Sequence, residues 1–355
     1  MKRRSLLQSV GGFSLSALPF VNAFAQNKTL KISHQFPGGT IKEGDFRDRL
    51  VRMFAVEVEK RTKGNLKFEI YPGSSLMKTN AQFSSMRKGA LDMALIPLSY
   101  AGGEIPEVNI GLMPGLVVSY EQAYSWKTKP VGAELNRLLL DKGIVLISWI
   151  WQAGGVASRS KPIVDPEDAK GMKVRGGSRE VDMILKEAGA AVVTLPSNEI
   201  YAAMQTGAMD AAMTSSTSFI SFHLEEVAKA LTTGRKGAYW FMFEPLMMSK
   251  AIFDALPQDQ RDAIMAVGAE MEKFAVEGAK ADVEEAKRAG LTGKQGPWTQ
   301  YPKRMLQMRA RGFALRDAFP DALRGVVSAE EARDTPAEKD MGAAEVVSSR
   351  PAQAA

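Results

Sequence analysis

The sequence predicts an α/β protein made of two domains of one design, and three observations carry that expectation. Segments with the periods of strands and helices alternate along the chain, the pattern that builds sheets flanked by helices. A nine-position signature, M-x-x-G-A-x-D-x-A, occurs twice, in the ten-residue segments MRKGALDMAL (86–95) and MQTGAMDAAM (204–213). The 355 residues are 45% hydrophobic and 24% charged, enough apolar material for two cores.

The first 25 residues stand apart. Lys2, Arg3 and Arg4 precede a mostly apolar run that closes on Ala23-Phe24-Ala25, a small-x-small cleavage pattern, so this segment is read as an export signal. Adjacent Arg3 and Arg4 suit a twin-arginine signal, and an ordinary secretory signal also accommodates them. Its removal lowers the formal net charge from +6 to +3. Basic residues elsewhere are scattered among acids, as in Glu57-Val58-Glu59-Lys60-Arg61, with no basic run interleaved with aromatics, which argues against nucleic acid as a partner. There are no cysteines, hence no disulfides and no thiolate metal ligands.

The elements follow in order. TLKISHQF (29–36) alternates as a strand, DFRDRLVRMFAVEVEKRTKG (45–64) has helical period and is closed by Gly64, and NLKFEIYP (65–72) alternates again, a βαβ unit. In each copy of the repeat a glycine caps a helix and an apolar strand begins. SWIWQAGG (148–155) places Trp149 and Trp151 on one face of a strand, and AYWFMFEPLMM (238–248) sets Trp240 and Phe243 in an aromatic and methionine-rich run. Such stripes are core, or the wall of a pocket for an apolar or aromatic body. Residues 258–290 form a long helix able to bridge two domains. The Ala, Glu, Ser and Pro-rich tail from 328 lacks large apolar residues and is expected to be disordered.

Motifs of catalysis are sparse. His34 and His223 are far apart and lack metal-ligand spacing, and no G-x-S-x-G, P-loop or dinucleotide fingerprint occurs. TSSTSF (214–219) is a hydroxyl cluster that suits a helix N-terminus or a set of neutral groups facing a ligand. The strongest polar candidate is GMKVRGGSR (171–179): a strand ends at Arg175, Gly176-Gly177 turn, and Ser178 caps a helix closed by Gly189. This junction puts backbone N–H groups and a planar guanidinium fork at the edge where α/β proteins bind ligands. The competing reading pairs Arg175 with an acid such as Asp165 or Glu180.

Five blocks carry a resemblance covering residues 29–325: VEKRTKGNLKFEIYPGSSL, MRKGALDMALIPLSY, SKPIVDPEDAKGMKVR, LPSNEIYAAMQTGAMDAAM and SKAIFDALPQDQRDAI. With them the chain resembles the solute-binding proteins of tripartite ATP-independent periplasmic (TRAP) transporters, dicarboxylate-binding type. The resemblance implies the type II periplasmic-binding-protein fold, two α/β domains around a cleft with crossing strands and a long bridging helix. Domain I is then 26–151 with about 240–282, and domain II is 152–239 with about 283–327. It implies a periplasmic protein that hands an organic acid to the small and large membrane permease subunits; a monomer is the default expectation, and no cofactor or metal is expected. Arg175 matches the family's carboxylate-binding arginine. Ser178, Gln35, Ser99, Tyr100, Thr214 and Ser215 match pocket positions. Sialic-acid-binding relatives have a second arginine where this chain has Gly154-Gly155-Val156, and an acid where it has Pro97-Leu98; Arg159 is out of register. The Trp-Glu pair of the sodium-dependent keto-acid branch is missing from MTSSTSF. With Trp151, Trp240 and Phe243 available, an organic monocarboxylate with an apolar or aromatic body is the expected ligand. Two alternatives stay open at this point: a periplasmic dehydratase or lyase, with Glu244, Asp92 and Asp210 as the nearest acids, and a binding protein of an ABC importer. The equivalent places of Asp92 and Asp210 in the two repeats favour a structural job for both.

Overall fold

The computed structural model describes residues 28–232, 238 and 240–291, so the export signal and the tail lie outside the described residues. The chain divides into two compact units, residues 1–284 and 285–355. Of the second, only residues 285–291 are described, as helix.

The first unit contains two sheets. The elements of the first are β1 (Lys28–His34), α1 (Phe46–Arg61), β2 (Leu66–Tyr71), α2 (Gln82–Arg87), β3 (Met93–Leu95), α3 (Tyr120–Ser125), α4 (Pro130–Asp141) and β4 (Ile144–Ser148). The chain then enters the second sheet through β5 (Trp151–Ser158), β6 (Lys173–Arg175), α5 (Arg179–Glu187), β7 (Ala191–Val193), α6 (Ile200–Gln205), β8 (Ala211–Ser215), α7 (Ser216–Ser221), β9 (Ala230–Thr232) and β10 (Trp240–Phe243). It returns to the first sheet as β11 (Leu246–Ser249), followed by α8 (Lys250–Asp254) and the long α9 (Gln258–Leu291). The sheets change between Ser148 and Trp151 on the way out and between Phe243 and Leu246 on the way back.

The strand orders are β2-β1-β3-β11-β4 and β7-β6-β8-β5-β10, with β9 also on β5. In each sheet three strands pair in parallel, and one strand, β11 in the first and β5 in the second, runs antiparallel to its neighbours. The antiparallel neighbours β5 and β11 are the two strands through which the chain crosses between sheets. The repeat seen in the sequence is therefore a repeat of topology. Its aspartates do the same work in both copies. Asp92 accepts the backbone N–H of Lys31 at 2.6 Å, and Asp210 accepts that of Lys173 at 2.8 Å. The carbonyls of these two residues receive the backbone N–H groups of Ser249 and Arg159. Each aspartate thus ties the start of a strand to its neighbour, and the glycines preceding them, Gly89 and Gly207, close their helices at φ +69° and +77°.

Local signals explain the helices. Asp45 caps α1, accepting the backbone N–H of Arg47 at 2.8 Å, and the α1 face bearing Leu50, Phe54 and Val58 packs under the first sheet. Trp149 and Trp151 do not share a strand as the alternation suggested: Trp149 lies in the link after β4, and only Trp151 belongs to β5. Both are buried there against Phe243, with ring centroids 4.7 and 4.8 Å from it, and Trp126 meets Trp151 edge-on at 5.2 Å. Phe243 and Trp151 belong to the larger core cluster, Trp240 to the smaller one.

Candidate functional site

Arg175 ends β6, and the residue is only 4% exposed. Its Nε donates to the Leu195 carbonyl at 3.0 Å, Nη1 to the Met213 carbonyl at 2.7 Å and Nη2 to the Tyr100 hydroxyl at 2.9 Å. Among the described residues no carboxylate forms an ion pair with it, neither Asp165 nor Glu180. A guanidinium has five N–H groups. Three are used, leaving one on each terminal nitrogen, the number that a carboxylate takes in a bidentate pair.

The turn that follows accommodates this side chain. Gly177 has φ +99°, and a Cβ there would lie 2.8 Å from Nη1 of Arg175. A larger residue would be strained by its backbone and would displace the guanidinium. Ser178 caps α5 by accepting the Val181 N–H at 3.3 Å. Asp182, in the first turn of α5, is raised above the usual carboxylate range by burial, which outweighs the stabilising charges of Arg175 and Lys186.

Tyr100 comes from the segment after β3, and its hydroxyl accepts Arg175 Nη2 and the Ser197 backbone N–H, both at 2.9 Å. Ser99 Oγ donates to the Gly177 carbonyl at 3.1 Å, and Thr79 Oγ1 donates to Asn198 Oδ1 at 3.3 Å. Residues on the first-sheet side thus meet residues on the second-sheet side around Arg175. A small cavity of about 10 Å³ is lined by Tyr100, Arg175, Gly176, Ser197, Thr214, Ser215, Ser218 and Trp240, together with Leu112, Met213 and Met242. No acidic residue lines it. An adjoining cleft of about 590 Å³ is bordered by Ser99, Tyr100, Gly177 and Ser178.

The sequence-derived candidates divide accordingly. Arg175, Tyr100, Thr214, Ser215 and Trp240 meet at the small cavity, and Ser99 and Ser178 border the cleft. Trp151 and Phe243 do not line either cavity, because both are consumed by aromatic packing in the core. Gln35 is fully buried with both amide atoms unpartnered, and it does not line either cavity. The TSSTSF stretch serves both readings given for it: Ser215 caps α7, accepting the Ser218 N–H at 3.1 Å, and Thr214, Ser215 and Ser218 line the small cavity. Ser218 and Ser197 escaped the sequence reading. Ser218 lay inside a hydroxyl cluster already singled out, whereas Ser197 acts through its backbone N–H, which no side-chain motif announces.

A second buried charge cluster lies on the first-sheet side. Arg47, at the start of α1, donates from Nε and Nη2 to Asp45 at 2.9 and 2.6 Å and from Nη1 to Glu244 at 3.2 Å, and its guanidinium carbon stands 3.6 Å from the centre of the Phe36 ring. Burial pushes the Glu244 carboxyl up to about 7, against the opposing charge of Arg47. Nearby in sequence, the strand-end His34 is buried against Asp48 at 3.1 Å. Burial opposes the charge on Asp48, but hydrogen bonds from His34 and Arg52 outweigh it and hold the carboxyl below its usual range. His223, Glu225 and Glu226 bring three potential metal-ligand atoms within 4.8 Å of one another near the surface, a grouping that the separation of the two histidines in sequence did not suggest.

A cation at the end of a strand, where residues of two like-built sheets meet, is an arrangement suited to binding an anion. The chain belongs to the bacterial extracellular solute-binding protein family 7, the TRAP transporter solute-binding proteins, whose family profile matches residues 38–301. A solute-binding protein of Albidiferax ferrireducens is 85% identical over 282 residues, covering 79% of this chain and 83% of that protein. The C4-dicarboxylate-binding periplasmic protein of Rhodobacter capsulatus is 27% identical over 292 residues, 81% and 85% of the two chains. Among solved structures, a TRAP periplasmic solute-binding protein from Rhodoferax ferrireducens with bound malonate is 85% identical. It aligns with a TM-score of 0.72 over 74% of this chain and 84% of that one. A Bordetella pertussis extracytoplasmic solute receptor is 23% identical, with a TM-score of 0.67 over 75% and 86% of the chains, and shares the fold. The architecture is that of the type II periplasmic-binding proteins. No described helix is long and apolar enough to cross a membrane.

Proposed function

We propose that this chain is the extracytoplasmic receptor for a short organic carboxylate, held by Arg175 and passed to the membrane permease subunits of a TRAP transporter. The observation that carries the reading is the arginine itself: buried, with no carboxylate among the described residues at ion-pair distance, and with one free N–H on each terminal nitrogen. A carboxylate in that fork forms charge-assisted hydrogen bonds worth about 1.5–3 kcal/mol each. The surrounding protein carbonyls and Tyr100 hold the fork in place beforehand. The ligand's differential affinity for the closed arrangement then shifts the population toward it.

The size of the occupant is argued from the walls. A cavity of about 10 Å³ has room for about one water-sized group, so its walls must part for any organic acid, and least for a short one. Of the three aromatics expected to embrace an aromatic body, Trp240 alone is a wall. This geometry favours a small acid over the aromatic monocarboxylate expected from the sequence. The malonate bound to the 85% identical Rhodoferax ferrireducens protein supports the same preference.

Turnover is not part of the proposed role. Asp92 and Asp210 are engaged by strand N–H groups, and Glu244 is engaged by Arg47. The test is thermal denaturation of the chain, refolded to strip carried-over ligand, against short mono- and dicarboxylates, larger aromatic acids and sugar acids. An acid present at about 100 times its Kd adds about 2.7 kcal/mol and raises the midpoint by several degrees. Stabilisation by a short acid that disappears in Arg175→Ala supports the proposal. No stabilisation by any acid overturns it.

A further inference from the structure

Glu244 is a buried carboxyl that the arrangement around Arg175 leaves unused. It lies in the link between β10 and β11, and its backbone N–H donates at 2.9 Å to the Ile150 carbonyl, in the link between β4 and β5. Both chain crossings between the sheets therefore meet at this residue. Its Oε2 receives an N–H from Arg47 Nη1 at 3.2 Å, long for a bond between charged groups, and its Oε1 has no partner among the described residues. Asp45 takes the rest of the guanidinium, from Nε and Nη2 at 2.9 and 2.6 Å, and accepts the backbone N–H of Arg47 as well. Arg47 thus has its counter-ion in Asp45, and an ionised Glu244 is a second negative charge beside one cation. The same Nη1 also donates to Ser218 Oγ at 3.2 Å, and Ser218 lines the cavity at Arg175. Glu244 stands two hydrogen bonds behind that wall.

We propose that Glu244 is a proton-binding site coupled to the anion site, so that the chain takes up a proton from solvent as it binds its carboxylate. The inference rests on the Arg175 reading above and concerns the proton rather than the identity of the acid. The charges acting on Glu244 are those of Arg47, which favours ionisation, and Asp45, which opposes it. α7 offers the Ser218 hydroxyl and the link after β4 a carbonyl, while His34, Asp48 and Arg52, on β1 and α1, are bonded to one another. Burial is the largest influence on Glu244 and brings it up to about 7, so both of its forms are populated at neutral pH. A negative charge in the cavity competes for the field of Arg47 and repels Glu244 directly, through a buried region that screens little. The carboxylate then gains H⁺ and becomes a neutral carboxyl, removing one buried negative charge as the ligand's charge arrives. The bound chain holds more protons than the free one, so affinity falls as pH rises through the range in which Glu244 titrates.

The experiment is calorimetric titration of the chain with malonate from pH 7 to 9, where malonate stays ionised, in buffers of different ionisation enthalpy. The dependence of the binding heat on the buffer counts the protons exchanged. Wild type is expected to take up about 0.3–0.5 proton per malonate near pH 7–8. Uptake declines toward pH 9, and Kd rises over the same range. Glu244→Gln holds a neutral side chain of the same shape in place and is expected to bind malonate with this uptake abolished and with a Kd that no longer follows pH. If that variant does not fold, Asp45→Asn decides: asparagine can still cap α1 but removes the opposing charge, so the uptake is expected to move to lower pH. Binding by wild type without proton uptake, or uptake unchanged in the folded variant, overturns the coupled proton site and leaves the Arg175 anchor standing. Failure of malonate to bind at any pH overturns the short-carboxylate reading, and this inference with it.

Discussion

The phenolic oxygen of Tyr100 receives two hydrogen bonds at 2.9 Å, one from Arg175 Nη2 and one from the Ser197 backbone N–H. A residue following the first sheet's repeat thereby bridges two residues of the second sheet's side. This contact exists only when the two sides are together. The hydroxyl also keeps its proton free to meet a ligand oxygen.

Tyr100→Phe is therefore expected to weaken ligand binding about tenfold, chiefly through faster dissociation. Two buried donors lose their acceptor at a cost of about 1–3 kcal/mol. Stopped-flow displacement measures the dissociation rate, and an unchanged rate would remove Tyr100 from the closing contacts.

Arg175→Lys tests the fork rather than the charge. Lysine keeps the cation but cannot reach Leu195, Met213 and Tyr100 at once and still present two parallel donors. Affinity for the carboxylate is expected to fall at least 100-fold, about 2.7 kcal/mol. Titration of the lysine variant with the acid identified by thermal shift checks this, and retention of affinity within tenfold would contradict the bidentate assignment.

Gly177→Ala combines a left-handed backbone with a side chain placed 2.8 Å from Arg175 Nη1. Strain of this kind costs on the order of 1–3 kcal/mol. Both the melting temperature of the free protein and its ligand affinity are expected to fall. A control, Gly73→Ala, has φ +62° with nothing within 4 Å of its Cβ and should lower stability alone.

Two buried carboxyls make opposite contributions to pH dependence. Glu244 is raised in the folded chain to about 7, so its contribution to stability is present below its unfolded value near 4.5 and is lost as pH rises through about 7. Asp48 is lowered, so its contribution is present above its unfolded value near 3.8 and is lost as pH falls through its folded one. Melting profiles from pH 4.5 to 8 for wild type and Glu244→Gln are expected to converge at the acid end and separate toward neutrality, with the glutamine variant losing less. Parallel profiles would show that Glu244 does not titrate in this window.

Much of the fold was legible because it is written in local periods. The βαβ start, the Gly-capped ends of both repeat helices and the Ser178 cap are properties of short segments, and the structure places them within a few residues of their sequence limits. The two tryptophans of SWIWQAGG were misplaced because a strand pattern does not reveal where a chain leaves one sheet for another. Trp149 falls in that link, and Trp151 is the first residue of the next strand. Aromatic stripes read alike from sequence whether they face a core or a pocket, and here Trp151 and Phe243 face each other.

By itself the sequence determined a duplicated α/β design, the strand end on which Arg175 sits and the glycine turn after it, since each depends on residues close along the chain. Tertiary structure alone decided the use of that arginine. Parallel pairing aligns Arg175 with Ala212 on β8, as Ser33 aligns with Ala94 on β3, so the two copies hold a cation and a small hydroxyl at matching places. The three groups that fix the guanidinium come from positions 20, 38 and 75 residues away. Two of the three are backbone carbonyls, which every residue type supplies equally. Contacts made by main-chain atoms across sheets leave no mark in side-chain pattern, and only the folded chain brings them to one point.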